Sequence, residues 1–430
     1  MITELTLENW KSYEKSTLQI DPLTVLIGTN ASGKSNALDA FVFLNRISSG
    51  AMLTSALQGD GALSAMRGGV EWAAKRPGSK FAVGAVCRAD DLMDYEYRIE
   101  CRIIENRCDV IAESLIRIKY RAGKDNTRKA QVGKINLFRT DNLSDPSPNL
   151  IARLYNEKQG KPITLGRSHS VLFQLLGQKL RQEIQDGVSV VTTSLKEMFF
   201  LDPIPSHMRS YSPLAEKLDS DAKNIAGVLA ALPKEKQKEI EKVLTQYASK
   251  LPERDIRRVY AESVGKFKSD AMLYCEEDWA GDDSPPTVDA RGMSDGTLRF
   301  LAILTALLTR PEGSLLVIEE IDNGLHPSRA SMLLDMLKTI GQQRKVDVLA
   351  TTHNPALLDA MGSEMVPFIS VAYRDNKTGH SVLVLLEDIQ QLPKLLAQGP
   401  IGRLTSKGLI EKSLQQQSFD FDEVTENSNV

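Results

Sequence analysis

Cysteine is scarce in this chain, which has four in 430 residues. None of them forms a CxxC pair or has a histidine nearby, so their spacing argues against a zinc site. Four scattered thiols in so long a chain also do not make the dense framework of a disulfide-stapled secreted protein. We therefore expect reduced cysteines and a cytoplasmic protein; the four residues are Cys87, Cys101, Cys108 and Cys275.

Long apolar runs and an excess of one charge are also missing. No segment approaches the roughly 20 apolar residues of a membrane span, and the N-terminus lacks the basic region and apolar stretch of a signal peptide. The 53 basic and 56 acidic side chains leave a formal charge of −3. This balance demands neither nucleic acid nor an anionic membrane as a partner, and we expect no membrane association.

What the chain does contain is a glycine-rich loop near its start. Residues 28–35 read GTNASGKS, which fits the GxxxxGK[ST] pattern of a phosphate-binding loop. The apolar run Leu23–Ile27 precedes the loop, and apolar residues at helical spacing follow it, so the loop joins a strand to a helix as required. In this setting the backbone N–H groups and the helix N-terminus face an anion.

The residues of this loop have separate predicted roles. Lys34 is expected to reach the β and γ phosphates, and Ser35 to hold Mg²⁺. The cofactors expected from the loop are therefore ATP and Mg²⁺. The predicted nucleotide-binding residues of the loop are Asn30, Gly33, Lys34, Ser35 and Asn36.

Two consecutive acidic residues follow an apolar strand later in the chain. The strand covers 314–318, and Glu319 and Glu320 lie at its carboxyl end, where open α/β sheets place their ligands. Because consecutive strand residues point to opposite faces, the two acids can have different roles. We predict Glu319 in the Mg²⁺ shell, through water, and Glu320 as the general base that polarises the attacking water.

A histidine ends the next strand-like run, VDVLATT at 346–352. His353 is followed by Asn354 and Pro355. A histidine at a strand end can hydrogen-bond a γ-phosphate oxygen or the attacking water. We therefore predict His353 as a second catalytic residue.

A second glycine-containing loop, GMSDGT at 292–297, precedes a helical run from Leu298 to Leu308. Ser294 or Asp295 can cap that helix, and the glycines leave backbone N–H groups open to solvent. The loop is thus a second anion cradle, without a lysine of its own. Ser294 and Gly296 are its predicted nucleotide-binding residues, with an ordinary capped helix as the alternative.

These motifs, taken in order, resemble the ABC-type ATPase heads related to the RecF, OLD and structural-maintenance-of-chromosomes proteins. The resemblance is to the branch often described as AAA-family ATPases of prokaryotic defence loci. It covers the Walker A loop GTNASGKS, a signature-like MSDGT at 293–297, the Walker B strand LLVIEE at 315–320, DNGLHP at 322–327 in the D-loop position, and TTHNP at 351–355 with the switch histidine.

The resemblance implies a homodimer, with a higher oligomer left open. Two heads would sandwich two ATP molecules, with Ser294 and Gly296 of one copy touching the γ-phosphate held by Lys34 of the other. The stretch Asn9–Ser12 also resembles an early strand-end motif near the adenine and phosphates, with an aromatic packed on the lobe surface as the alternative.

Three positions depart from the pattern of transporter heads. Glu319 stands where those heads have aspartate, and His326 stands where their D-loop has aspartate. Gln58 is the nearest candidate for the Q-loop glutamine, but it follows Lys34 too closely for an unambiguous assignment.

The order of strand-like and helix-like segments along the chain predicts an α/β fold. With the resemblance, we expect a split ABC-type P-loop ATPase head with a β-rich lobe, an α/β lobe and an inserted helical arm. The stretch 123–166 is polar and weakly periodic, so we expect it to be an irregular insertion. The predicted parts are 1–122, the N-terminal half of the head; 123–266, the insertion and helical arm; 267–386, the C-terminal half; and 387–430, terminal helices and an acidic, disordered tail.

One segment of the predicted arm resembles a stretch that recurs in the defence-linked branch. It reads LDPIP at 201–205 and is followed by Met208 and Arg209. No chemistry follows from these residues, and a proline-rich connection before a helix explains them without a function.

Two functional hypotheses follow from these motifs. The first is a homodimeric ATPase that senses a trigger and regulates a separately encoded effector, a nuclease or toxin, in antiphage defence. It rests on the absence, after His353, of a glutamate and DxD pair in the arrangement of a Toprim nuclease. The alternative is a RecF-like or SMC-like DNA-repair or DNA-binding ATPase, for which the basic stretch 117–129 is the clearest local cluster.

Overall fold

Residues that alternate between apolar and polar form many of the strands of this protein, and apolar residues spaced three and four apart form its helices. The computed structural model describes residues 1–123, 128–141, 147–155, 160–251, 256–277, 286–324 and 326–416. Within these ranges the strands are Ile2–Glu8 (β1), Lys15–Gln19 (β2), Leu23–Ile27 (β3), Lys80–Asp90 (β4), Met93–Ile104 (β5), Arg107–Ala122 (β6), Arg128–Thr140 (β7), Asn149–Leu154 (β8), Lys161–Gly166 (β9), Phe199–Leu201 (β10), Ser212–Pro213 (β11), Ile256–Val264 (β12), Asp270–Glu277 (β13), Thr287–Asp289 (β14), Leu315–Ile318 (β15), Asp347–Thr351 (β16), Ile369–Arg374 (β17) and Ser381–Leu385 (β18).

The helices lie mostly between the strands of the second half of the chain. In the described ranges they are Lys34–Ser48 (α1), Leu53–Gln58 (α2), Val171–Gln174 (α3), Gln182–Lys196 (α4), Ile225–Ala231 (α5), Lys234–Ala248 (α6), Asp295–Thr309 (α7), Ala330–Arg344 (α8), Pro355–Met361 (α9), Leu392–Leu396 (α10) and Ile401–Ser406 (α11). Among the described residues, no helix combines the length and the apolar character that crossing a membrane requires.

The chain divides into two compact units. The first unit comprises Met1–Met198, Phe368–Leu392 and the described residues from Glu411 onward; the second unit comprises Phe199–Pro367 and Pro393–Ile410. The four-part organisation predicted from the sequence stays a prediction.

An antiparallel sheet makes up much of the first unit. In the described residues its order is β2-β1-β4-β5-β6-β7-β8-β9. The prediction of an irregular insertion over 123–166 is wrong, because β7, β8 and β9 pair in sequence along this sheet. Much of β7 and β9 is exposed, so backbone hydrogen bonds hold these strands and little apolar periodicity marks them in the sequence.

Strand β3 carries the phosphate loop of the first unit and is buried along its whole length. It pairs in parallel with β17, which pairs antiparallel with β18. Behind helix α1, the buried rings of Trp10, Phe43 and Phe81 contact one another with centroids 5.0–5.7 Å apart. Such aromatic pairs add about 0.5–1.5 kcal/mol each to the free energy of unfolding, beyond their buried area, so the cluster anchors α1 firmly.

The second unit contains three parallel strands in the order β10-β15-β16. Strands β15 and β16 are fully buried, as expected for parallel strands covered on both faces. Helix α7 is buried over most of its circumference and packs against α6 and α8. A smaller sheet of β11, β12, β13 and β14 packs against α5 and α6. The predicted α/β fold class is thereby confirmed.

Candidate functional site

The phosphate loop of the first unit runs from Gly28 to Gly33 and begins directly after β3. Gly28 has a φ of +148° and Gly33 a φ of +114°, a backbone region that side chains rarely adopt. A Cβ on Gly28 would lie 2.1 Å from the carbonyl oxygen of Ala372, and a Cβ on Gly33 would lie 2.5 Å from Ser381 Oγ. Both positions therefore require glycine, and the loop can curl only because no side chain fills it.

The ammonium group of Lys34 lies over this loop. Its Nζ donates to the carbonyl oxygens of Gly28 at 2.7 Å and of Thr29 at 3.0 Å. Helix α1 begins at Lys34 with Gly33 as its cap residue, and no side chain caps it. A cation held above a curled backbone at a helix N-terminus is an arrangement that fits a phosphate group.

The first turn of α1 is tied to the loop that follows β1. Trp10 Nε1 donates to the carbonyl oxygen of Asn36 at 2.7 Å, and Asn36 Nδ2 donates to Ser12 Oγ at 2.7 Å. Ser381 Oγ donates to the same Ser12 oxygen at 2.8 Å. Trp10 is fully buried, so it is a core residue that positions α1 and does not lie open to a nucleotide base.

A cavity of about 570 Å³ opens beside this helix start. Its volume lies within the range of about 300–1,000 Å³ that is typical of ligand pockets. Ser12 and Asn36 line it near the start of α1, and the exposed ring of Trp72 also lines it, with the Arg76 guanidinium carbon 4.1 Å from the ring centroid. The basic side chains along its wall are Lys11, Arg67, Lys75, Arg76, Arg374 and His380.

Two acidic residues hold part of this basic wall in place. Lys11 Nζ donates to Asp39, and burial lowers the pKa of Lys11, although the Asp39 carboxylate counteracts this effect. Glu14 Oε2 accepts from Lys75 Nζ at 3.0 Å and lies 2.6 Å from His380 Nδ1. The hydrogen bond from Lys75, assisted by the charges of Lys75 and His380, holds the pKa of Glu14 below its usual value. The wall is thus an ordered cationic surface suited to a polyphosphate.

In the second unit, Glu320 and His353 lie next to each other at the ends of β15 and β16. Glu320 Oε1 and His353 Nδ1 are 4.0 Å apart, and both side chains are at least half exposed. Glu320 N donates to Thr351 Oγ1 at 2.9 Å, which fixes one strand end to the other. Glu320 has a φ of +50°, an uncommon conformation for a side chain and one that recurs at functional sites.

The other residues of the TTHNP motif have structural roles around His353. Asn354 caps helix α9, since its Oδ1 accepts from Ala356 N at 3.0 Å, and Pro355 occupies the first helical position. Thr352 Oγ1 donates to Asp322 Oδ1. Asparagine and proline therefore start a helix, while His353 remains the exposed residue at the strand end.

The signature-like loop of the second unit leads into helix α7. Ser294 Oγ accepts from Thr297 N at 3.1 Å, which makes Ser294 the helix cap, as one of the two sequence alternatives predicted. Ser294 and Asp295 are exposed, whereas Gly296 is buried. A Cβ on Gly296 would lie 2.7 Å from Arg329 Nη1 and 3.0 Å from the Gly324 carbonyl oxygen. Close packing against these two residues explains the glycine.

A family model matches residues 23–359 of this sequence, and its description reads "AAA domain, putative AbiEii toxin, Type IV TA system". The matched range contains the phosphate loop, the signature-like loop, Glu319, Glu320 and His353. The chain belongs to the AAA_21 family. It is therefore an AAA-type protein with a P-loop of the ATP-binding kind.

Three solved structures similar to this AAA_21 protein are heads of SMC proteins, at low identity. A head described as "SmcHead bound to the C-winged helix domain of ScpA" has 17% identity and a TM-score of 0.47, covering 89% of this chain and 97% of that one. The SMC head domain from Thermotoga maritima has 13% identity and a TM-score of 0.41, covering 89% and 98%. A head with an extended coiled coil, bound to the C-terminal domain of ScpA derived from Pyrococcus furiosus, has 15% identity and a TM-score of 0.45, covering 92% and 99%.

No match was found among curated protein sequences. The assignment of the chain to its family therefore rests on the family model, which spans the larger part of the chain.

The first unit of the AAA_21 chain brings five predicted residues together. Gly33, Lys34, Ser35 and Asn36 form the loop end and helix start, and Asn30 is exposed at the loop tip. The second unit brings Glu319, Glu320 and His353 together at neighbouring strand ends and places Ser294 and Gly296 at the start of α7. Their roles as catalytic, nucleotide-binding and metal-binding residues stay predictions.

The predicted Mg²⁺ ligands are Ser35 in the first unit and Glu319 in the second unit. Within the described ranges, no group of three or more His, Cys, Asp or Glu could hold a metal ion. Magnesium in a P-loop takes most of its ligands from phosphates and water and only one or two from the protein.

The remaining predictions concern Gln58, His326, the basic stretch 117–129 and the acidic tail. Gln58 is the last, exposed residue of α2, and its Q-loop role stays a prediction. His326 Nδ1 lies 2.8 Å from Ser328 Oγ in a local turn. In the basic stretch 117–129, Arg117 is buried and pairs with Glu183 at 3.1 Å. Lys124 and the acidic tail from 417 lie outside the described residues.

Sequence reasoning did not find two groups of residues that the structure brings to these sites. The outer cavity wall, formed by Trp72, Arg76, Arg374 and His380, comes from distant parts of the chain. Arg209 contacts the signature-like loop. The segment containing Arg209 could be recognised in the sequence, but Asp295, to which Arg209 donates, lies more than eighty residues away along the chain.

Proposed function

We propose that this protein binds and hydrolyses ATP with Mg²⁺, and that it works as a homodimer whose ATP cycle regulates a separately encoded effector in antiphage defence. The observation that carries the ATP part is the Lys34 ammonium held over an unfilled glycine loop, beside a cationic cavity of about 570 Å³. A triphosphate nucleotide matches this combination in charge and in size.

Separate residues would supply the chemistry. Lys34 would neutralise the terminal phosphates, and Ser35 and Glu319 would hold the magnesium ion, which supplies charge stabilisation at the phosphates. Glu320 would act as the general base toward water, and His353, at 4.0 Å from it, would hydrogen-bond the same water or a phosphate oxygen. Both side chains are exposed, as such a role requires.

The dimer is proposed because Ser294 is exposed at the N-terminus of a long helix, where backbone N–H groups and the helix dipole favour an anion. We propose that this N-terminus receives the γ-phosphate bound to a second copy of the chain. Gly296, which is buried, would contribute through the close packing of the loop rather than through exposed surface.

The regulatory role is proposed from the family description, which names a toxin of a type IV toxin–antitoxin system. That description supports control of a harmful activity. We propose that a separate effector chain carries the harmful activity.

ATP binding and turnover test the first part. The purified chain should bind a fluorescent ATP analogue and release phosphate, and Lys34→Ala should abolish both. Lys345→Ala is the control, because the Lys345 side chain makes an exposed ion pair with Glu312 in the second unit. A wild-type chain that neither binds nor hydrolyses ATP would refute the proposal.

Phage plating tests the second part. Cells carrying the gene and its neighbours should plate phage poorly, and Lys34→Ala should restore plating. If phage plate equally well on cells with the wild-type chain and on cells with Lys34→Ala, the ATPase has no role in defence. Tight DNA binding by the chain, with a steep dependence on salt concentration, would instead support the DNA-binding alternative.

A further inference from the structure

Arg209 lies in the second unit, in the segment after β10 for which the sequence suggested no chemistry. The backbone around it is well anchored, since Met208 is buried and its N donates to the Pro205 carbonyl oxygen at 3.1 Å. His207 Nδ1, one residue earlier, lies 3.0 Å from Asp221 Oδ2. These contacts hold the start of the Arg209 side chain in a defined place.

The guanidinium group of Arg209 donates several hydrogen bonds to the signature-like loop. Its Nη1 donates to the carbonyl oxygens of Ala290 at 3.0 Å, Arg291 at 2.9 Å and Met293 at 2.7 Å. Its Nη2 donates to Asp295 Oδ1 at 2.5 Å. One side chain thus holds the backbone before Ser294 and the carboxylate of the residue after it.

The same contacts fix the conformation of the loop where it enters α7 and neutralise an acidic charge beside Ser294. Three carbonyl oxygens point toward Arg209, so the loop enters α7 in one conformation, with the Ser294 hydroxyl turned to Thr297 N. The Asp295 carboxylate would repel a phosphate approaching Ser294, and the positive charge of Arg209 compensates it. A lysine could supply the charge but could not bridge the carbonyls and the carboxylate together.

We propose that Arg209 is a positioning residue for nucleotide recognition between two copies of this chain. It holds Ser294 and the N-terminus of α7 in the conformation that accepts the γ-phosphate bound at Lys34 of the partner copy. This inference rests on the ATP-sandwich dimer of the proposed function.

The first experiment compares the wild type with Arg209→Ala and Arg209→Lys. Each variant should bind a fluorescent ATP analogue as the wild type does, because Lys34 of the same copy is unchanged. ATP-dependent dimerisation, measured by sedimentation in the Glu320→Gln background, should weaken by about 10–100-fold, the size expected for a misplaced contact. Arg258→Ala is the control, since Arg258 makes an exposed ion pair with Glu276 in the same unit.

A mixing experiment separates positioning from mere stability. In a mixture of Arg209→Ala and Lys34→Ala chains, each mixed dimer has one site with both parts intact. Turnover should therefore return to roughly one quarter of the wild-type value, for equal mixing and independent sites in a two-fold dimer. Neither variant alone should recover.

Amide hydrogen exchange gives a readout without nucleotide. Residues 290–297 should exchange faster in Arg209→Ala, and Arg209→Lys should be intermediate. Unchanged dimerisation in both variants, or no recovery on mixing while both chains remain folded, would overturn the role of Arg209. Failure of the wild type itself to dimerise with ATP would refute the proposed function instead.

Discussion

Glu320 and His353 lie 4.0 Å apart, carboxylate oxygen to imidazole nitrogen, although they follow different strands and are 33 positions apart in the sequence. Parallel pairing of β15 and β16 brings them together, and the bond from Glu320 N to Thr351 Oγ1 fixes their spacing. A water molecule can contact both groups at this separation.

We expect Glu320→Gln to slow phosphate release by about 10²–10⁴-fold, the usual effect of removing a general base. ATP binding should persist, because the amide keeps the size of the side chain and Lys34 is unchanged. Turnover assays together with sedimentation in the presence of ATP would measure both effects. Glu312→Gln serves as a control on an exposed glutamate, and normal turnover in Glu320→Gln would disprove the assignment.

Gly33→Ala should abolish ATP binding while the protein stays folded. The φ of +114° disfavours alanine, and the added Cβ would lie 2.5 Å from Ser381 Oγ and 2.9 Å from the Tyr13 hydroxyl. The loop must therefore shift where it is expected to hold phosphate. ATP titration followed by a thermal melt would check this.

Gly177→Ala is the matched control for that change. Gly177 also has a positive φ, +79°, but no atom of the described residues lies within 4 Å of the position of its Cβ. If both substitutions left ATP binding intact, the loop would not be the binding site.

Trp72→Ala should weaken ATP binding by roughly tenfold, since stacking of a base on an aromatic ring contributes about 1–3 kcal/mol. Trp72 is 55% exposed and lines the cavity, and the Arg76 guanidinium lies 4.1 Å from its ring centroid, so a base would stack on the opposite face of the ring. Trp72→Phe should retain most of the affinity. Phe267→Ala changes an exposed aromatic of the second unit and should have no effect; equal affinities in all variants would place the base elsewhere.

Glu113 should make the stability of this protein depend on pH. The side chain is buried and accepts from Tyr97 Oη and from the backbone N–H groups of Val171 and Leu172. Burial nevertheless raises its pKa from 4.5 to about 7. The folded protein therefore holds this proton more tightly than the unfolded chain, and the free energy of unfolding should fall by about 3 kcal/mol as pH rises from 4.5 to 7.

Denaturant unfolding at several pH values would measure this effect. Glu113→Gln should remove the pH dependence between 4.5 and 7. Because the amide nitrogen, unlike either oxygen of the protonated acid, accepts no hydrogen bond, the substitution should also lower stability at pH 5, by about 1–3 kcal/mol. Glu96→Gln, on the exposed edge of an ion pair with Lys134, should keep the wild-type slope. Parallel slopes in wild type and Glu113→Gln would show that another group titrates.

Short-range patterns predicted much of this fold. The phosphate loop, the strand before Glu319 and the helix after Ser294 were all visible, because glycine torsions, apolar runs and helix caps act over a few residues. Strands β1 and β5 alternate between buried and less buried residues, as a local pattern can show. Strands β7–β9 were missed because their stability comes from backbone pairing with neighbours along the sheet, and many of their side chains face solvent.

Long-range contacts could not be predicted from local pattern. Nothing near Arg209 in the sequence indicates that it will contact Asp295, and nothing near Trp72 indicates that it shares a cavity with Arg374 and His380. Trp10 is a further case in which the local sequence does not reveal the contacts of a residue. Its position beside Lys11 and Ser12 suggests a place in the ligand site, yet its buried ring packs on Phe43 and Phe81. In each case the partner residue is fixed only by the assembled fold.

The pairing of β3 with β17 has a consequence for the synthesis of this protein. Gly28 closes against the carbonyl oxygen of Ala372, and Gly33 against Ser381. A nascent chain has already made its phosphate loop when these supporting residues are still untranslated. The phosphate loop can therefore reach its final geometry only late in translation, and a chain that ends before Ala372 would lack both supports of its glycines.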